Sequence, residues 1–551
     1  MEKLPAVTDS RPTIITVQPS DGDRIVGGAI EGAERLKRET ATWRGSRVSP
    51  DRAINTVKAE ADARSRDMVM NDGHSQGAIR LQKDSIVGAS YRLNAKPDYI
   101  TIYGKDNDAA AEYGEELAAA AEARFNLAAA SEDCWFDAGG MLTFTDMIRL
   151  QVGTYLYTGE ALATSEWQDS DRQRPFKTMF QLVAPQRLCN PDNVADTESL
   201  RRGVEIDGRG RPINFWFQKG YPDEFYGDAG LAWTRVPARK PWGRRQVLFL
   251  RDAQFIDQTR GMSEMVAALS HMRMTKKFSE ITLQRAVVDA TYAAAIESEL
   301  PNNEVIAAMG GGTEGFANAL GQYLTMLQEY LGGSENIAID GVMMPHLFPG
   351  TKLNMQTVGA PAGVGSEFEA SLHRHICATL GLSYAEYARD FTKGSYSSAK
   401  AEVALADRTA NAKKRYCADR MATMKYQNWF EEEIAAGNLP LPPFRNRTDF
   451  YRPLMKDAYT RCDWIGTGKG QIDELKETQA AMLRVKAGFS TFEKECARLG
   501  EDYREVFRQR AKENRLQERL GLTFTLDASK DGNNTAAQTI TEDQNDDQSQ
   551  N

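Results

Sequence analysis

A phosphate-binding loop needs Gly-x-x-x-x-Gly-Lys-Ser/Thr, because its backbone N–H groups and lysine hold the phosphates while the hydroxyl meets Mg²⁺. The nearest stretch is Gly466-Thr467-Gly468-Lys469-Gly470, with Asp463 where the first glycine belongs and Gly470 where the hydroxyl belongs, so it reads as a loop. A metal nuclease of the Pro-Asp and Asp/Glu-x-Lys kind clusters carboxylates around Mg²⁺. Pro-Asp occurs at Asp51, Asp98, Asp192 and Asp223, but the nearest second half, Glu205-Ile206-Asp207, has an acid in place of the lysine; turn chemistry explains these sites. The five histidines are His74, His271, His346, His373 and His375. His373-x-His375-x-Cys377 is the metal-like cluster among them, yet on a helix His373 and Cys377 share a face that His375 leaves, so it reads as packing or surface. Met262, Met265, Met272 and Met274 read as core or subunit packing rather than a soft-metal stripe. Arg389 and Lys393, flanked by Tyr387, Phe391 and Tyr396, remain as candidates for touching the phosphates and bases of DNA. No catalytic residue, metal site or cofactor is expected.

The composition bounds what such residues can belong to. A chain of 551 residues has room for roughly three or four structural units. Sixty-eight basic against seventy-seven acidic residues leave a formal charge of −9, which argues against a strongly basic surface that wraps nucleic acid. The six cysteines are sparse and widely spaced, as reduced thiols are. The opening residues lack the apolar stretch of a signal peptide and no run of 18 apolar residues occurs, so the chain is expected to be soluble, intracellular when made and not in a membrane.

The elements that must position the candidates follow from periodicity. Residues 1–50 lack sustained pattern and are expected to be disordered or ordered only against neighbours. Helices are predicted over 106–130 and 144–152, then β-prone stretches at 155–167, 178–183, 203–206, 213–218 and 246–250, with Asp207-Gly208-Arg209-Gly210 turning a hairpin; this is an antiparallel α+β unit. A long helix spans 262–290, and 293–361 is a smaller insert with a glycine turn at 310–312, a helix at 317–330 and strands at 337–339 and 353–357. A second helix leaves the insert, with Ser366 and Glu369 as a capping box, Phe368, Leu372, Ile376 and Leu380 on one face, and Gly381 as its stop. Residues 382–396 are predicted as part helix, part loop, and 398–436 as a third long helix ending at Gly437. Helices follow at 471–487 and 491–499, the latter capped by Ser490 and Glu493, and continue after Gly500 to about residue 520. Residues 526–551 hold six acids and one base among Gln and Asn, a composition expected to be disordered.

The chain also resembles the lambda family of tailed-phage portal proteins. The resemblance is carried by residues 65–79 and 84–88, then in order by 183–193, 258–261, 294–300, 345–350, 381–384, 462–466 and 490–496. It implies a portal fold: an α+β wing at 51–261, a stem helix at 262–292, a small α/β clip at 293–361, a second stem helix at 362–381, a tunnel loop region at 382–398, a long helix returning to the wing at 399–470 and an all-helical crown at 471–525. It implies a homododecameric ring at one capsid vertex through which double-stranded DNA enters and leaves, without hydrolysis by the ring. The partners it implies are the terminase large subunit, the major capsid protein and scaffold, and head-completion or tail-connector proteins. In that frame Arg389 and Lys393 would give transient grip inside the channel. The competing readings are a DNA-processing enzyme of the packaging machinery and a minor capsid protein without a pore.

Overall fold

The computed structural model describes residues 47–171, 173–221, 232–292, 337–339, 342–344, 364–390, 396–468 and 473–522, with Gly321 and Thr325. The expected N-terminal arm up to residue 46, most of the 293–361 insert, Lys393 and the acidic tail lie outside the described residues.

Three helices open the described chain: α1 (Pro50–Asn55), α2 (Lys58–Asn71) and α3 (Gly73–Ile86). Strand β1 (Arg92–Ala95) and helices α4 (Tyr99–Tyr103), α5 (Asp108–Ala129) and α6 (Phe144–Thr158) follow. Alanine-rich α5 starts where the Asn107 side chain accepts from Ala110 N at 2.9 Å, one of the orphan donors of a helix N-terminus. Helix α6 starts likewise at Thr143 and stops at Gly159, whose φ of 76° puts the chain in the left-handed region. The strand expected from residue 155 therefore begins only at Glu160, because Tyr155–Thr158 complete a turn of α6 before the glycine ends it.

Strands β2 (Glu160–Trp167), β3 (Thr178–Leu182), β4 (Leu200–Arg201), β5 (Val204–Ile206), β6 (Pro212–Gln218), β7 (Trp233–Pro237) and β8 (Val247–Arg251) form two antiparallel sheets, ordered β3-β2-β8 and β4-β5-β6-β7. The hairpin at residues 207–210 joins β5 to β6 as its turn chemistry requires: Asp207 Oδ1 accepts from the backbone N–H of Arg209 and Arg211 at 2.9 and 2.8 Å.

Helix α7 (Met265–Tyr292) is the expected long helix, entered three residues late because the Ser263 hydroxyl accepts from Met265 N at 3.0 Å. Its 28 residues span about 42 Å at 1.5 Å each. Short strands β9 (Ile337–Ile339) and β10 (Val342–Met344) pair antiparallel. Helix α8 (Val364–Leu380) runs back along α7, with His375 against His271, Phe368 against Phe278 and Glu369 accepting from Ser279 at 3.3 Å. Since α8 begins at Val364, Ser366 and Glu369 lie inside the helix rather than at its expected start. The methionine stripe divides: Met265 and Met272 are buried with Met68, Ala78, Ala268, Ile376 and Leu380 at the foot of the pair, whereas Met274 is exposed.

After α9 (Tyr384–Ala388), the third long helix is α10 (Tyr396–Lys413), a π-helical turn at Lys414–Ala418 and α11 (Asp419–Ala436), ended by Gly437 at φ 82°. Its last half is the centre of the molecule: Tyr426, Trp429 and Phe430 pack with Phe125, Phe136, Phe144 and Trp464 in the main core. Helix α12 (Met455–Tyr459) leads to β11 (Cys462–Ile465), which pairs antiparallel with β1 across most of the sequence. Helices α13 (Glu474–Lys486), α14 (Phe492–Arg498) and α15 (Tyr503–Leu520) complete the described chain. Thr491, not Ser490, caps α14 by accepting from Lys494 N at 3.3 Å.

Candidate functional site around the turn between the helix pair and the long helix

The segment that carries Arg389 begins where α8 stops. Gly381 has φ 69°, and a Cβ there would lie 2.6 Å from the Thr409 methyl of α10, so only glycine lets the two helices close. The carbonyl left free on Leu380 accepts from Gln82 of α3 at 2.8 Å and from Lys413 of α10 at 3.1 Å. Lys413 also pairs with Glu264, just before α7, at 2.7 Å. The foot of the turn is thus clamped from three sides. Beyond it the Ser383 hydroxyl donates to Glu402 at 3.0 Å, and Tyr387 of α9 lies on the rings of His74 and His373.

Arg389 ends α9 in the left-handed region at φ 52°, ψ 33°, with its side chain exposed. It makes no ion pair among the described residues, and Lys393 falls outside them, so the two candidates are not brought together here. The nearby carboxyls are acidic company: burial, then the charges of Asp407 and Glu402, push the Glu386 carboxyl above its ordinary range. The arrangement offers one exposed guanidinium near half-buried acids. That suits a passing contact with phosphate.

The other flagged residues are placed as scaffold. His373 is buried beside His74 with ring centroids 4.6 Å apart, exposed His375 lies 4.4 Å from His271, and Cys377 is buried; no group of three His, Cys, Asp or Glu able to hold a metal occurs among the described residues. Burial and then His74 lower the pKa of His373, against the opposing pull of Glu369 and Asp72. In the glycine stretch, a Cβ on Gly468 would come 2.3 Å from the Leu499 carbonyl oxygen, and Thr467 donates to Asp84 O at 2.5 Å, so its described part is a packing joint. Asp51 is buried, accepting from Thr259 N at 2.5 Å and pairing with Arg201 at 2.6 Å. Asp98 holds Thr101, Asp192 sits in a turn at φ 51°, and Asp223 is outside the described residues. All six cysteines are free thiols. No described helix is long and apolar enough to cross a membrane.

One constellation went unseen in the sequence. Arg260 is 1% exposed and satisfies all five of its N–H donors: two on Glu160 at 2.7 Å each, and the others on the carbonyls of Leu188, Arg202 and Pro185 at 2.7, 2.6 and 3.1 Å. Glu160 also accepts from Gly261 N at 2.7 Å and lies 3.8 Å from Lys58, which bonds Asp62. Burial alone would raise the Glu160 pKa; Arg260, Lys58 and these hydrogen bonds bring it below the ordinary carboxylate value. The stretches 183–193 and 258–261 singled out by the resemblance therefore wrap one buried guanidinium that ties α2, the two sheets and the start of α7 together. The only local signal was an arginine followed by glycine, and its partners lie 58 to 100 residues away.

Comparison with known proteins agrees with the resemblance. The family described as phage portal protein, lambda family, matches residues 36–413. The portal protein B of Escherichia phage lambda is 32% identical over 518 residues, covering 93% of this chain and 94% of that one. The portal protein of Escherichia phage N15 is 33% identical over 517 residues, with the same coverage of 93% and 94%. Among solved structures, the neck of a native gene transfer agent particle computed with C12 symmetry aligns at 12% identity and a TM-score of 0.34, covering 84% of this chain and 97% of that one. On the extent of the family match and the identity to two portal proteins over nearly their whole length, the chain belongs to the lambda family of phage portal proteins.

Proposed function

We propose that twelve copies of this chain close into a ring at one vertex of a tailed-phage head and form the channel through which the genome is packaged and ejected. Membership of the portal family is the observation that carries this reading. On it, residues 51–261 are the wing that meets capsid and scaffold, α7 and α8 are the stem, 293–361 is the clip, and 471–525 is the crown. The clip would dock the terminase large subunit during packaging and head-completion or tail-connector proteins afterwards. The ring performs no hydrolysis; ATP is spent by the terminase.

A conduit needs low friction. Each firm Arg or Lys contact with phosphate releases counterions and holds the duplex in place. A mildly acidic subunit of formal charge −9 suits sliding, and exposed Arg389 at the end of α9, with Lys393, provides transient grip in the tunnel loop region. The test has two parts. Native mass measurement with particle imaging of the purified chain should give a twelve-subunit ring with an open axis; a monomer, a plugged assembly, or ATP or DNA hydrolysis without terminase overturns the reading. Arg389→Ala with Lys393→Ala should leave rings intact while lowering retention of packaged DNA. Unchanged packaging and retention would reject the grip.

A further inference from the structure

We propose that the acidic stretch at residues 542–547 docks on a basic stripe along α15 of its own chain. At 3.6 residues per turn, Arg508, Lys512, Arg515 and Arg519 fall on one narrow arc of α15, spaced four, three and four apart. All four are exposed, and none makes an ion pair or side-chain hydrogen bond among the described residues. This is unlike their neighbours, since Arg484 and Arg498 both hold Glu495, Arg92 holds Glu505, and Arg504 holds Glu122. Of the acids of α15 itself, Glu513 and Glu518 stand off the arc, and Glu505, at its edge, is held by Arg92. Like charges four apart on a helix repel, so a stripe left bare disfavours the helix that bears it.

The far side of α15 is already occupied, with Phe507 against Phe492 of α14 and against Tyr503. The stripe is therefore the side left to a partner. Such a partner must be an extended polyanion, and the chain carries one: Glu542, Asp543, Asp546 and Asp547 fall within six residues and no base lies among them. Gly521 at φ 67° turns the chain off the helix, with Leu522 N donating back to Gln517 O at 3.0 Å. From Leu522 to Glu542 is a tether of 20 residues, able to span up to about 70 Å, whereas the stripe from Arg508 to Arg519 is about 16 Å long. Tethering holds the acids at high effective concentration beside the stripe, which favours them over an untethered anion of equal charge.

Carbodiimide cross-linking of the full chain at low salt, prepared from mixed light and heavy isotope-labelled subunits and mapped by mass spectrometry, tests this. Lys512 should be joined to a carboxylate of 542–547 within the same chain. The yield should fall about fivefold or more at about 0.5 M salt, where exposed charge pairs are screened. The same loss should follow in the variant R508E/R515E/R519E, which keeps Lys512. As a second readout, E542Q/D543N/D546N/D547N should speed acetylation of Lys512. Links chiefly between chains or to other acids, unchanged yield in the charge-reversed variant, or protection of Lys512 by an added DNA duplex but not by the tail would each overturn the proposal.

Discussion

Charge burial is the theme at the residue scale, and it is handled in two opposite ways. Arg260 is buried with every donor satisfied, so its removal strands the carboxylate of Glu160 in the interior. Arg260→Ala should cost about 3–5 kcal/mol of stability, read as a lower denaturant midpoint of the isolated subunit. Arg260→Lys should recover only part of this, because an ammonium offers three donors where five are used. Lys425 is the contrary case. It is fully buried, donates to Gln151 Oε1 and lies 5.9 Å from the Phe144 ring centroid, and burial lowers its pKa to about 7 despite the opposing pull of Cys417 and Asp137. Between pH 7 and 10.5 the unfolded chain holds this proton more tightly than the folded one, so stability should rise with pH across that window. Lys425→Met should remove that rise and raise the thermal midpoint at pH 7; an unaltered pH dependence would refute the assignment. Neither residue was legible in the sequence. Arg260 looked like one arginine in a short motif, and Lys425 like one charge on a long helix, because what defines both is contact with residues 58 to 274 positions away.

Elements were legible where their information is local. Helices α5, α7 and α15, the strands β3, β6 and β8 and the stop at Gly437 all declare themselves through apolar spacing or a glycine end. Helix α2 does not, because the face it buries is polar, Lys58, Asp62 and Ser65 beside Ala61 and Met68, so apolar periodicity has little to report. Strands β1 and β11 are four residues each and are made strands by pairing with each other across more than 360 residues. The step from α6 into β2 was misread for a different reason: aromatic and β-branched Tyr155, Tyr157 and Thr158 favour strands locally, but packing on α2, α3 and the main core holds them in α6 until Gly159. That glycine meets another. A Cβ on Gly261 would lie 2.1 Å from the Gly159 carbonyl oxygen, a backbone contact that cannot move aside, because Glu160 next to it is fixed by Arg260. Gly261→Ala should therefore destabilise by about 3 kcal/mol or more and displace the start of α7, seen as faster hydrogen exchange at 262–268 than in the parent chain. Equal exchange and stability would show that the crossing has slack.

At the scale of the whole molecule, the question is what the helix pair does with the apolar residues it leaves exposed. Along α7, Ile281 and Leu283 are exposed by 52 and 68%, about 200° apart and so on opposite sides of the helix, although α8 already lies against it. Fully covering a side chain of this size is worth about 1.5–3 kcal/mol, so two such residues exposed on a 28-residue helix are a standing penalty for an isolated subunit. If copies close into the proposed ring, each stem helix has a neighbour on either flank, and both residues are expected to be covered there. Ile281→Asp with Leu283→Asp should therefore leave the subunit's own core intact, because neither residue belongs to it. The thermal midpoint of the monomer should move by less than about 1 kcal/mol equivalent, within the range of ordinary surface substitutions. Ring formation should fail in native mass measurement at concentrations where the parent chain is fully assembled. The two readouts together separate causes that either alone would confuse: loss of rings with loss of stability would mean a damaged fold, whereas intact rings would mean that these two residues of α7 face solvent or another partner, and that closure of the ring is driven from elsewhere on the subunit.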